Sequence, residues 1–255
     1  HPTRRPFPLA VLSLAGLSPA ARATDRCRVE EKLSLAKAWS ALPEGFELKA
    51  VERWYEKGIE RKPDVVKVLP FAALLPGVPA PQRIRLYEAR RRVGMLIYSD
   101  VVAVVDAGEG EREARVIRGC AGYNALLDKA DVRPPDRKSL LERLRAYLRV
   151  AVGDGASSVM TRLDEDYPLS KGAPEERRKD GKDVRGWFAQ HKDTHKFHGP
   201  LVRWRKGRGG SLKFYSWKMM FGVFYAEEIR VDAKGRITGH LSETLASGLG
   251  RFAIH

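Results

Sequence analysis

The last quarter of the chain most constrains what it can fold into. Leu201 to Lys206, Ser211 to Met220, Gly222 to Val231 and Arg236 to Glu243 are β-type runs, punctuated by Gly207-Arg-Gly-Gly210 and Asp232-Ala-Lys-Gly235. Glycine and aspartate at these points supply the tight turns of hairpins, so the pattern predicts an antiparallel meander. A second strand series lies upstream: Val65 to Leu69, then Arg83 to Arg92, Gly94 to Val105 and Glu113 to Arg118, with a Gly-rich turn at Asp106 to Gly110.

The two series echo one another. Ile84-Arg-Leu-Tyr87, Arg90, Val93-Gly94 and Leu96 match Leu212-Lys-Phe-Tyr215, Lys218, Phe221-Gly222 and Phe224 at one constant offset. Each copy follows an amphipathic helical pattern. Arg28 to Leu42 repeats apolar residues at three- and four-residue steps and stops at Pro43 and Gly45, while Phe46 to Lys57 fits a helix or a strand. After Pro134-Pro135, Asp136 is an N-cap, Leu140, Leu141, Leu144, Leu148, Ala151 and Val152 form an apolar face, and Gly153 closes it.

The expected fold is therefore α+β, with amphipathic helices packed on curved antiparallel β-meanders. It is arranged as two similar helix-plus-sheet units, residues 24–133 and 134–255, the second carrying a charged loop at 164–196. Prolines punctuate Pro70 to Pro81, which excludes a helix or a central strand there. Phe71, Leu74, Leu75 and Val78 of that loop either need cover from the sheet or form a patch for self-association.

Residues 1–23 read as an address. Thr3-Arg4-Arg5 is a positive n-region, Leu9 to Leu17 a short apolar core, and Pro19-Ala-Ala-Arg-Ala23 a small-residue cleavage site. The apolar run is far below the ~20 residues of a membrane span. This predicts export to a periplasmic or extracellular setting, with Thr24 as the mature N-terminus. The twin arginine resembles a twin-arginine signal, although Pro6 and Pro8 depart from it. In an oxidising compartment the two cysteines, Cys27 and Cys120, are expected to form a disulfide.

Charge points to the partner class. The chain carries a formal +15, and +15 less Arg4, Arg5 and Arg22 of the leader is +12. Such a balance favours polyanions: an anionic membrane surface or envelope polymer outside the cytoplasm, and nucleic acid less readily. Arg203, Arg205, Lys206, Arg208, Lys213 and Lys218 alternate with Trp204, Phe214, Tyr215 and Trp217. Strand alternation would put a basic surface opposite an aromatic interior, with Trp217 among the binding groups.

For chemistry, the sharpest pattern is His191, His195 and His198, which would share one face of a helix and could ligate zinc, the one cofactor suggested, beside Asp193. The lysine-rich surroundings and Gly199-Pro200 oppose this, and no HExxH or GxSxG pattern is present. The expected function is an exported, non-catalytic binding or envelope-associated protein. A metal-dependent hydrolase and a nucleic-acid binder are the alternatives.

Overall fold

The computed structural model describes residues 24–27, 34–94, 96–150, 157–161, 184–218 and 223–247, and in it two antiparallel sheets share one core. The first contains β2 (Ser40–Ala41), β3 (Val65–Leu69), β4 (Ile84–Val93), β5 (Leu96–Gly108) and β6 (Glu111–Ile117), in the order β2-β6-β5-β4-β3. The second contains β1 (Thr24–Asp25), β7 (Ser157–Val159), β8 (Leu201–Arg205), β9 (Gly209–Lys218), β10 (Val223–Val231) and β11 (Ile237–Ala246). Its path is β1-β11-β10-β9-β7, and β8 shares with β7 the same edge of β9. Among the described residues four α-helices accompany them: α1 (Glu47–Ile59), α2 (Gly119–Ala130), α3 (Arg137–Val150) and α4 (Val184–Gln190). Residues 1–23, where the leader is expected, and most of the 164–196 loop lie outside the described residues.

Period-two alternation decides what each sheet buries. Ile84, Leu86, Val101 and Ala103 of the first sheet meet Leu212, Phe214, Ile229 and Val231 of the second in one cluster, with Tyr123 and Leu126 of α2 and Leu144 and Tyr147 of α3. The opposite face of the first sheet, Tyr87, Ala89, Val102 and Val116, is covered by Val51, Trp54 and Tyr55 of α1. Among the described residues the opposite face of the second sheet is covered at one end, where Trp187 and Phe188 of α4 pack on Tyr215, Trp217 and Phe224. The sequence echo has a spatial counterpart: Ile84 and Leu86 face the shared core as Leu212 and Phe214 do. Tyr87 and Tyr215 both point to the far side, under α1 and α4 respectively.

Local chemistry accounts for the helix ends. The Ser139 N–H donates to Asp136 Oδ1 (2.7 Å) while the Asp136 N–H donates to Ser139 Oγ (2.9 Å), a reciprocal cap on α3. These bonds from Ser139 hold the Asp136 carboxyl below its usual range.

Two expectations are corrected, one helix without a sequence expectation appears, and one open choice is decided. Within 34–42 there is no long helix: Ser34–Ala36 is a 3₁₀ turn and Ser40–Ala41 an edge strand paired with Glu113 and Ala114. Ladder bonds to β6 and the seating of Leu35 on Gly58, where a Cβ would come within 2.3 Å of Leu35, outweigh the helical spacing. Gly119–Ala130 is a helix that its glycines disguise; Gly122 lies so close to Ile117 that a Cβ there would be 3.1 Å from the Ile117 Cα. The Pro70–Pro81 loop offers no apolar patch for self-association, since Phe71, Leu74 and Leu75 are buried in the shared core and Val78 packs against it. Finally, Phe46 to Lys57, ambiguous in sequence, is helical: Ala50, Val51, Trp54 and Tyr55 of α1 join Ala36 and Leu42 in covering the far face of the first sheet.

Cys27 and Cys120 form a disulfide with Cα atoms 5.3 Å apart, tying the start of the described chain to α2. No helix among the described residues is long and apolar enough to cross a membrane.

Candidate functional site: the basic face of the second sheet

β8 alternates Leu201, Arg203 and Arg205 outward with Val202 and Trp204, which pack against the shared core. Register then sets each outward residue beside its neighbours. Arg203 lies opposite Ser211, which lies opposite Arg230. Arg205 lies opposite Gly209, and Leu201 opposite Lys213, which lies opposite Glu228. Arg203 and Arg230 thus flank a small residue at about 9.5 Å, two strand spacings. Gly209, beside Arg205, is buried and can only be glycine. Gly209 has φ 89°, and a Cβ on it would meet the Val231 carbonyl oxygen at 2.3 Å. Guanidinium groups on either side of a serine suit phosphate or carboxylate, which arginine grips bidentately.

Glu228 is the acid on this rim. Its burial raises the pKa, but the bond from Arg230 (3.1 Å) and the charge of Lys213 (3.4 Å) outweigh that and hold the carboxyl below its usual range. Arg203, Arg205, Lys206 and Arg208 are all exposed, and none makes an ion pair among the described residues. The expected cations therefore stand together, save Lys218, whose side chain lies outside the described residues. The aromatic partners do not join them. Trp217 is 2% exposed, inside the α4 cluster with Tyr215, so its ring is a packing element and not a binding surface. Arg230 is the member missed in sequence; a cross-strand register is what brings it beside Arg203.

The three histidines are not arranged as ligands. α4 ends at Gln190, so His191, His195 and His198 share no helical face. His191 stacks on Trp187 (4.3 Å between centroids), His195 tilts against the same ring (5.1 Å) and His198 against Tyr215 (4.9 Å). The Nδ1 of His191 meets the Trp187 carbonyl and that of His198 the Gly199 carbonyl. Among the described residues no group of three His, Cys, Asp or Glu could hold a metal ion. The histidines finish an aromatic cap, and the zinc site is not formed there.

A buried polar chain runs along the core side of the same sheet. Ser216 Oγ donates to Glu227 Oε1, Glu227 Oε2 lies 2.5 Å from His240 Nε2, and His240 Nδ1 is 3.3 Å from the Tyr147 hydroxyl. Tyr147 in turn lies 3.4 Å from Cys120 Sγ of the disulfide. Arg26, over the Tyr225 ring, places its guanidinium 3.9 Å from Glu227 and bonds Ser242. Burial raises the Glu227 pKa, yet the His240 bond, the Arg26 and His240 charges and the Ser216 bond together hold it below the usual carboxylate range. Alternation from Ile229 and Val231 was the available signal for an inward Glu227.

Set beside models of known families, curated proteins and solved structures, the chain finds no match in any of the three, so its function is read from this geometry alone.

Proposed function

We propose that this is an exported, non-catalytic binding protein that holds an anionic partner, a membrane surface or an envelope polymer, on the outer face of its second sheet. One observation carries the reading: Arg203, Ser211 and Arg230 fall in one register row, with Arg205 exposed on the same strand face. Exposed cations around small residues attract polyanions additively and cost the fold little. The disulfide is compatible with an oxidising compartment, as the leader pattern of residues 1–23 would require. The Ser216–Glu227–His240 chain is structural in this reading, since solvent reaches neither the carboxylate nor the imidazole.

The test is charge reversal, Arg203→Glu with Arg205→Glu. Stability should stay within about 0.5 kcal/mol of the parent. Affinity for vesicles containing phosphatidylglycerol, or for a soluble polyanion, should fall steeply and become less salt-dependent. Unchanged affinity would reduce the basic face to solvated surface. A parent that prefers duplex DNA to both probes, with a steep salt slope, would move the reading to nucleic acid.

A further inference from the structure

We infer that the β4–β5 hairpin is an arm that inserts into the interfacial layer of an anionic lipid bilayer. The arm stands clear of its sheet. β3 accompanies β4 only as far as the Val65–Arg90 pair, and β6 accompanies β5 only as far as Ile117–Val101. Beyond those points Arg91 pairs with Tyr98, Arg92 with Ile97 and Val93 with Leu96, a ribbon with no strand on either side among the described residues. Three paired residues per strand give it a reach of about 10 Å.

Its surface is wrong for water. Eight large apolar side chains are exposed among the described residues, and five of them, Val65, Val68, Val93, Ile97 and Tyr98, lie on the arm or the strand at its base. Ile97 is 61% exposed, the most of any on the arm. The sequence through the tip, Val93-Gly-Met-Leu-Ile-Tyr98, is uncharged. Such clustering marks a contact surface.

The distribution selects the occupant. Alternation puts Ile97 and Arg92 on one face and Tyr98, Val93 and Arg91 on the other. A flat protein partner, or a second copy, covers one face of a ribbon and leaves the other in water. A bilayer interface surrounds both. Charge agrees: residues 91–98 hold two arginines and no acid. The Arg91 guanidinium lies over the Tyr98 ring (5.0 Å), and that of Arg92 makes no ion pair among the described residues. Arginines behind an apolar tip can snorkel to lipid phosphates while a tyrosine sits at headgroup level. Beyond Asp64 the ribbon has no strand partner among the described residues, and the hydrocarbon core does not tolerate open backbone groups, so insertion stops at the boundary of the acyl region. Asp64, accepting the Arg92 N–H and donating its own N–H to the Arg90 carbonyl, fixes the arm's base.

This assignment does not rest on the basic face of the second sheet. The full chain is floated with phosphatidylcholine vesicles, with and without phosphatidylglycerol, as parent, as Val93→Asp/Ile97→Asp and as Arg203→Glu/Arg205→Glu. Partitioning of the arm variant into anionic vesicles should fall about a hundredfold, tenfold per apolar group lost, with the melting curve unchanged. An Ile97→Trp reporter should blue-shift with anionic vesicles and be quenched by brominated acyl chains, with or without the two charge reversals. Undiminished partitioning of the arm variant would overturn the assignment, as would an Ile97→Trp emission blind to lipid. A parent dimer that Val93→Asp/Ile97→Asp converts to monomer, with no quenching by lipid, would assign the arm to a second copy instead.

Discussion

Glu227 Oε2 lies 2.5 Å from His240 Nε2 with neither side chain open to solvent, and the pair joins the two central strands of the second sheet. Removing one member of such a pair leaves the other buried without its partner. Glu227→Ala should therefore cost about 3–5 kcal/mol in urea unfolding.

The same carboxylate predicts an acid dependence. Its folded-state pKa is depressed, so its contribution is complete above the unfolded value of about 4.3 and drains away as pH falls through the folded one. Glu227→Gln cannot titrate. Its melting temperature should trail the parent's at neutral pH and converge with it on acidification; a constant gap would show that Glu227 is not ionised in the fold.

The Cys27–Cys120 bridge joins residues 93 apart in sequence. Chain entropy values such a bridge at about 4–5 kcal/mol, so reduction should lower the denaturation midpoint strongly. Non-reducing peptide mapping should recover the linked pair.

Leu74 and Trp217 are packing residues despite sitting, respectively, in a loop and beside surface cations. Leu74→Ala should cost about 2–5 kcal/mol and Trp217→Ala about 3–5 kcal/mol. Neither should alter polyanion affinity once measured at a temperature where the variant is folded. A Trp217→Ala protein of parental stability that binds more weakly would return this ring to the binding surface.

Gly209→Ala should destabilise more than an ordinary strand glycine replacement. The residue sits at φ 89° and the added Cβ would meet the Val231 carbonyl oxygen at 2.3 Å. Left-handed backbone alone costs about 1–2 kcal/mol, and the close contact adds to it. Differential scanning calorimetry reads the sum.

Period-two alternation and turn chemistry were enough, from sequence alone, to expect antiparallel strands between Leu201 and Glu243 with a basic face opposite an aromatic interior; Arg203, Arg205 and Lys213 do lie outward and Phe214 inward. The Asp136 cap, the α3 face and the cysteine pairing were legible for the same reason: each is a local pattern or a choice with one partner available. Tertiary packing decided the rest. The helical spacing of 34–42 yielded to β6 because backbone pairing at a sheet edge is a long-range option that periodicity cannot register. Trp217 was assigned to the binding surface in sequence, and Leu74 was left open between sheet cover and a self-association patch, because a residue's type does not say which neighbour covers it; α4 and the shared core do. The row Arg203–Ser211–Arg230 and the pair Glu227–His240 exist only once β9, β10 and β11 are in register, since strand pairing brings together residues that no spacing along the chain relates.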